Sequence, residues 1–360
     1  MPRAAIRREP NQPMTIEDVE LAPPGAGEVR IRLTASGVCH SDQSAWDGTI
    51  PLPDGAYVLG HEGAGIVEAV GPAVDHMAPG DVVVLAMPMC GWCYFCTHGQ
   101  PTLCESPHRA VPRLTTTGGE PLIGFGGLGT FAEVANVSHH SVVPVRTELP
   151  ASQLALLGCA MVTGVGAVLY AAQVVPGASV AVLGGGGVGQ AIIQGARLAG
   201  AETIIAVDPI AMKRAMAVKL GATDVIDPVG ADVVDEIRRL TSGRGADYVF
   251  EAVGRADIVA QGWEAARRGG TLVVVGMSDP AATLSLRTAD IIMSARRLVG
   301  TFLGSANIRR DLPMLANLAE RGLLDLSSMV SRTIALDEVN VAFEAMSNGE
   351  VIRSVIEYPG

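Results

Sequence analysis

Positive charge is scarce in this chain: 26 Lys and Arg stand against 37 Asp and Glu, for a net charge of -11 over 360 residues. That balance repels nucleic acid and anionic membrane surfaces and excludes both as principal partners. The opening MPRAAIRREPNQPM has arginines but no apolar segment and no small-residue cleavage pattern, so export is not expected and the cytoplasm is. Internal repeats, coiled-coil heptads and low-complexity tracts are missing as well. Charge of either sign disappears altogether between residues 149 and 196, a run long enough to cross a bilayer. Pro176, Gly177 and many other glycines interrupt it, and no aromatic or basic belt flanks it. A buried helix followed by a central strand is therefore the expectation, with no membrane span.

Cysteine is equally sparse, at six residues, yet four of them fall in CGWCYFCTHGQPTLC, residues 90–104. Cys90, Cys93, Cys96 and Cys104 follow C-x2-C-x2-C-x7-C, a separation at which neighbouring thiolates can face one metal ion. Disulfides are disfavoured in the cytosol and strained at such short spacings. The bacterial iron-sulfur run ends with a shorter interval and a proline, which this loop lacks. A closed tetrahedral zinc site is expected, one that holds a lobe together and does no chemistry.

With 48% hydrophobic residues the chain can bury a large core, and its length suggests two domains. Up to about residue 160 it reads as short strands and turns, as in EVRIRLTASGV, GHEGAGIVEAVG and GDVVVLAM. From residue 178 strands (SVAVL, TIIAVD, DVID, DYVFEAV, GTLVVVG) alternate with helical stretches at 188–199, 210–220, 233–240 and near 258–267. Such alternation implies a parallel, doubly wound sheet, hence an α/β chain. Past residue 302 two more helices and the strand-like SRTIAL and RSVIEY suggest a return to the first domain. The expected division is 1–160, 161–302 and 303–360, the last part rejoining the first.

Gly184, Gly186 and Gly189 form G-x-G-x-x-G after a strand and at the start of a helix, with Gly187 and Val188 inside the turn. Asp208 ends the next strand nineteen residues after Gly189, where a carboxylate accepts hydrogen bonds from the adenosine ribose. A 2′-phosphate would meet like charge there, so NAD is favoured; the bland alternative is a glycine-rich turn without a nucleotide. The other two cysteines, Cys39 in SGVCHSD and Cys159 in LGCAMVTG, would singly be inert thiols, and His61 in GHEGAG a structural histidine. Together they make a Cys2His set that leaves a fourth zinc position open.

In their order and spacing, GVCHSD, GHEGAGIVEAVG, the cysteine lobe, GTFAEV, GCAMVTGVGAV, GGGGVG, AVD with Lys213, and GEVIRSVI resemble the zinc-dependent medium-chain alcohol dehydrogenases. The likeness is to the long form, which includes glutathione-dependent formaldehyde dehydrogenases and bacterial primary, aryl and terpenoid alcohol dehydrogenases. The resemblance implies a GroES-like, mostly-β catalytic domain and a Rossmann domain. It implies two zinc ions per subunit, NAD, a small alcohol or aldehyde as substrate, and a homodimer or homotetramer, with TLSLRTADIIM read as a strand extending the sheet across a two-fold axis.

The same resemblance assigns residues. Cys39, His61 and Cys159 become ligands of the catalytic zinc, Glu62 a carboxylate beside it, and Ser41 the hydroxyl that begins a proton relay. His40 and Arg353 would neighbour the cofactor pyrophosphate, Thr163 the nicotinamide, and Asp208 and Lys213 the ribose; Val275 is counted with the cofactor residues. Ala86 and Phe125 would line the substrate pocket, the small Ala86 widening it. Ser44 replaces a histidine frequent at the outer end of the relay, so that end is unassigned. The implied reaction is oxidation of a primary alcohol, aromatic and terpenoid ones included, by ionisation on zinc and hydride transfer to NAD. Alternatives are a thiol-adduct formaldehyde dehydrogenase, a nicotinoprotein that keeps its NAD, and a non-catalytic NAD-binding protein; a zinc-free quinone reductase would need none of these ligands.

Overall fold

The computed structural model describes residues 1–106 and 114–359. The chain forms two compact units, Met1–Cys159 with Asn307–Gly360, and Ala160–Ala306.

The first unit is built on two β-systems. Strands Arg3–Arg7, Thr15–Leu21, Leu114–Thr116, Pro121–Gly124 and Ala56–Val58 close a barrel. A second sheet runs in the order Val142–Pro144, Val82–Leu85, Glu62–Val70, Glu28–Gly37, Arg353–Glu357 and Val330–Ile334, with Val134–Ser138 also paired to Glu28–Gly37. Its central strand shows why this sequence makes a sheet: Val29, Ile31 and Leu33 alternate with Arg30 and Arg32, and the three apolar side chains are fully buried. Each contributes about 1.5–3 kcal/mol by leaving water. The C-terminal tail closes the sheet, Val355 lying opposite Gly37 in antiparallel register.

On the other side of that central strand, pairing with Glu62–Val70 carries two register shifts before Gly37 comes opposite Glu62. Glycine is required at 37, because an added Cβ would collide with the Glu62 carboxylate. The register therefore brings the segment leading to Cys39 alongside His61 and Glu62.

The second unit is a six-stranded parallel sheet ordered Asp224–Ile226, Thr203–Val207, Ser179–Leu183, Ala246–Glu251, Ala266–Val274 and Arg297–Gly300. SVAVL and TIIAV are apolar without alternation because helices cover both faces of the sheet. Strand order reverses at Ser179–Leu183, which places a ligand crevice at its carboxyl end. The chain leaves that end through Gly184 (φ +103°), a conformation that favours glycine, and enters the helix Gly187–Leu198. A Cβ at Gly189 would strike the Gly184 carbonyl, so the turn and the helix pack at a distance only glycine allows.

Two expectations need correction. TLSLRTADIIM is not a strand: Thr288–Ser294 is a helix, preceded by residues without regular structure. Its Asp290 accepts a hydrogen bond from Trp263 Nε1 at 2.9 Å, which pins the first helical turn to the core. The helix expected near 258–267 runs from Ala256 to Ala265, and Ala266 and Arg267 already belong to the next strand. The charge-free run folds as short helices Ala151–Ala155, Ala160–Gly166 and Ala167–Ala172, then the central strand. Among the described residues no single helix is long and apolar enough to cross a membrane.

Candidate active site

Cys39 lies two residues past the end of the strand Glu28–Gly37 and caps the helix His40–Asp47, so its sulfur sits at a helix N-terminus. Asp42, in the first turn of that helix, accepts from Cys39 N at 3.2 Å through Oδ2. Its Oδ1 accepts from Gly60 N at 2.9 Å and from His61 Nδ1 at 2.8 Å. One fully buried carboxylate thus ties Cys39 to His61 across the fold. With Nδ1 donating to Asp42, the other imidazole nitrogen offers its lone pair to a metal.

One ligand atom from each of Cys39, His61, Glu62 and Cys159 falls within 4.8 Å of the others, so these four side chains converge. Arg353 lies among them: Nη2 is 2.9 Å from Glu62 Oε1 and 3.5 Å from Cys39 Sγ, and Nη1 is 3.5 Å from the Val38 carbonyl. The resemblance assigns this arginine to the pyrophosphate; its guanidinium is buried in the cluster. Two thiols and two carboxylates act on one guanidinium, and among the described residues Glu62 Oε2 is buried with no hydrogen-bond partner. A divalent cation offsets that excess of anionic groups, and the soft sulfur and imidazole donors suit zinc.

The same groups perturb one another's ionisation. The Cys39 thiol is held well below its usual range, chiefly by the hydrogen bond from Cys159, with Arg353 and His61 assisting; Cys159, its partner in that bond, is pushed up. Burial opposes a charged His61, but the Asp42 carboxylate outweighs it and raises the imidazole, so a metal competes there with a proton. Burial lifts Glu62 to about 7 against the pull of Arg353.

In the lobe, Cys90 and Cys96 sulfurs are 3.9 Å apart and those of Cys93 and Cys104 are 4.0 Å apart. Four thiolates about 2.3 Å from a tetrahedral zinc would be separated by about 3.8 Å. All six cysteines of the chain are free thiols. Main-chain N–H groups aim at the sulfurs, Cys93 N and Trp92 N at Cys90 and Cys90 N at Cys104, which favours thiolate. The Cys93 thiol is pushed down to about 6, first by its backbone bond at Cys96, while burial pushes Cys96 up to about 12.

Ser41 is half-buried one residue past the exposed His40 on the same helix. Ala86 is fully buried, and the Phe125 ring stands edge-on to His61 with centroids 5.7 Å apart. In the second unit Asp208 accepts from Gly185 N at 2.7 Å and Ile210 N at 2.8 Å, so the acid is locked to the glycine turn. Lys213 is largely buried in the next helix, Ala211–Leu220. Thr163 is buried in Ala160–Gly166, and Val275, just past its strand, donates its N–H to the Glu251 carbonyl at 2.9 Å.

Sequence reasoning gave no role to Asp42. Its signal was available: an acid three residues after Cys39, the interval of a capping box.

A GroES-like catalytic unit with a Cys2His cluster, and a parallel-sheet unit with a glycine turn and an acid, define a zinc-dependent dehydrogenase. Residues 25–147 match the alcohol dehydrogenase GroES-like domain and residues 187–321 the zinc-binding dehydrogenase domain. The chain is 38% identical to S-(hydroxymethyl)glutathione dehydrogenase of Escherichia coli O6:H1, over 99% of each. Among solved structures it is similar to benzyl alcohol dehydrogenase of Acinetobacter calcoaceticus, with TM-score 0.93, 30% identity and 99% of each chain covered. It is also similar to a zinc-binding dehydrogenase of Sinorhizobium meliloti 1021 bound to NADP, with TM-score 0.82, 30% identity and 99% of each chain covered. The chain belongs to the zinc-dependent medium-chain alcohol dehydrogenase family. It is an oxidoreductase whose cofactors are zinc and a nicotinamide dinucleotide.

Proposed function

We propose that this enzyme oxidises primary alcohols, aromatic and terpenoid ones included, to aldehydes with NAD, and runs the reverse reduction. The observation that carries the reading is the convergence of Cys39, His61, Cys159 and Glu62 within 4.8 Å, two residues along the chain from the Ser41 hydroxyl. Zinc held there supplies Lewis acidity that favours ionisation of the alcohol, and the nicotinamide supplies an acceptor for hydride.

The chain's own groups do the rest. Asp42 keeps the proton on His61 Nδ1, so Nε2 stays available as a ligand. Arg353 balances the thiolate and carboxylate charge and holds Glu62 in place through Oε1. Ser41 Oγ accepts the hydroxyl proton of the substrate and passes it on; with serine at position 44, solvent or another group finishes that transfer. Phe125 offers an aromatic wall near His61, and the small, fully buried Ala86 is the pocket position implied by the resemblance. The Asp208 carboxylate favours ribose hydroxyls over a 2′-phosphate, hence NAD over NADP.

A second reading is oxidation of a hydroxymethyl adduct of glutathione, favoured by the 38% identity to an S-(hydroxymethyl)glutathione dehydrogenase. An alcohol panel with NAD and with NADP, alongside formaldehyde with and without glutathione, separates the two. Faster turnover of benzyl or long primary alcohols with NAD supports the first. Glutathione-dependent formaldehyde oxidation with the higher kcat/KM overturns it in favour of the second.

A cytoplasmic location is consistent with six free thiols. Assembly with a second copy is supported by exposed Ile291, Ile292 and Met293 beside exposed Leu298 on the edge strand Arg297–Gly300.

A further inference from the structure

Gln190 has no part in the chemistry above, yet it is fully buried in the helix Gly187–Leu198, just behind the glycine turn. Only one end of this buried amide is satisfied: Oε1 has no hydrogen-bond partner among the described residues, whereas the NH2 end is fully engaged. Its Nε2 donates to two main-chain carbonyls, Gly185 O at 3.0 Å and Lys213 O at 2.9 Å. Both partners are acceptors only, so the NH2 end of the amide must face them. The two carbonyls belong to different elements, the glycine turn and the first turn of Ala211–Leu220. Asp208 joins the same two elements from another side, through Gly185 N and Ile210 N. Gly185 is thus held at its N–H by Asp208 and at its carbonyl by Gln190, and the Lys213 backbone is tied into the same ring. Arg214, next in the helix, is engaged by the Asp208 carbonyl at 2.7 Å and by Asp227 at 2.8 Å.

We infer that Gln190 is a positioning residue for cofactor choice: it sets where Asp208 and Lys213 stand relative to the glycine turn. The inference rests on the assignment of Asp208 and Lys213 to the adenosine ribose. A ribose hydroxyl is drawn to the carboxylate, whereas a 2′-phosphate is repelled by it and drawn to the neighbouring cations. Displacement of this helix moves Lys213 and Arg214 relative to Asp208, so NAD and NADP binding respond unequally.

The test is Gln190→Leu, which keeps a side chain of similar size and removes the donor. Dissociation constants for NAD and for NADP are measured by calorimetry on the full-length protein, and KM for each in turnover. Kd and KM for NAD should rise about tenfold, the effect of losing one or two hydrogen bonds, with kcat falling less than KM rises. The preference for NAD over NADP should fall by about fivefold or more. A side chain that merely stabilises the fold would weaken both nucleotides alike, so equal changes, or an unchanged Kd for NAD, overturn the inference. Should Gln190→Leu fail to fold, Gln190→Met is read in the same way. The wild-type preference reports separately on the ribose assignment: an enzyme that favours NADP refutes that assignment and the inference with it, whereas a wild type that favours NAD and a variant with unchanged preference refute the inference alone.

Discussion

Asp42→Asn should loosen the catalytic metal without disturbing the metal of the cysteine lobe. Oδ1 of Asp42 accepts from Gly60 N and His61 Nδ1, and Oδ2 accepts from Cys39 N, so all three of these partners are donors. An asparagine has to turn its NH2 toward one side. Facing Cys39 N, it sets donor against donor; facing His61, it drives the imidazole proton to Nε2, where a ligand lone pair is needed. Loss of such an outer partner lowers metal affinity about 10- to 100-fold, or about 1.4–2.8 kcal/mol. Competition with a chromophoric zinc chelator reads the effect, and the lobe zinc serves as an internal reference. The variant should surrender one zinc per subunit at chelator concentrations that leave the wild type with two, and its activity should fall in parallel. Wild-type affinity at both sites would refute the argument that Asp42 selects the His61 tautomer.

Cys39→Ala and His61→Ala should each abolish turnover while NAD binding, followed by calorimetry, survives; activity in either variant contradicts their role as ligands. Cys104→Ser should remove the lobe metal and lower thermal stability, with the catalytic zinc retained by metal analysis, since the two clusters share no residue. Acid stability should depend on Asp247. Burial opposes its charge, but the Ser179 hydroxyl and amide and the Arg267 guanidinium outweigh that and hold its pKa below the usual range. This stabilisation is full above the unfolded carboxylate's pKa and is lost as pH falls through the lower folded one. Arg267→Ala should cost about 1 kcal/mol or less at neutral pH and raise the pH of acid unfolding; an unchanged acid midpoint would count against the pairing.

What could be read along the chain was what neighbouring residues decide. The lobe was legible because its four thiols lie within fifteen residues, and intervals that short confine them to one volume. The strand-helix alternation was legible because each apolar run declares its own period. TLSLRTADIIM does not follow its β-rich letters: its second half is the helix Thr288–Ser294, whose Asp290 accepts a hydrogen bond from Trp263 far along the chain. Boundaries slipped by two residues at Ala256–Ala265, where no strong capping signal marks the ends.

Cys39, His61 and Cys159 are separated by spans of chain whose path is set by sheet register, so resemblance could name them while only the fold could bring them together. The same holds more strongly for Asp42, Arg353 and Gln190. Each carries an ordinary side chain whose meaning comes from a partner remote in sequence: His61, Glu62 and the carbonyl of Lys213. Local spacing limits which atoms can meet across a short loop. Across longer stretches the entropy of the chain leaves the meeting undetermined until strand pairing and core packing select one arrangement.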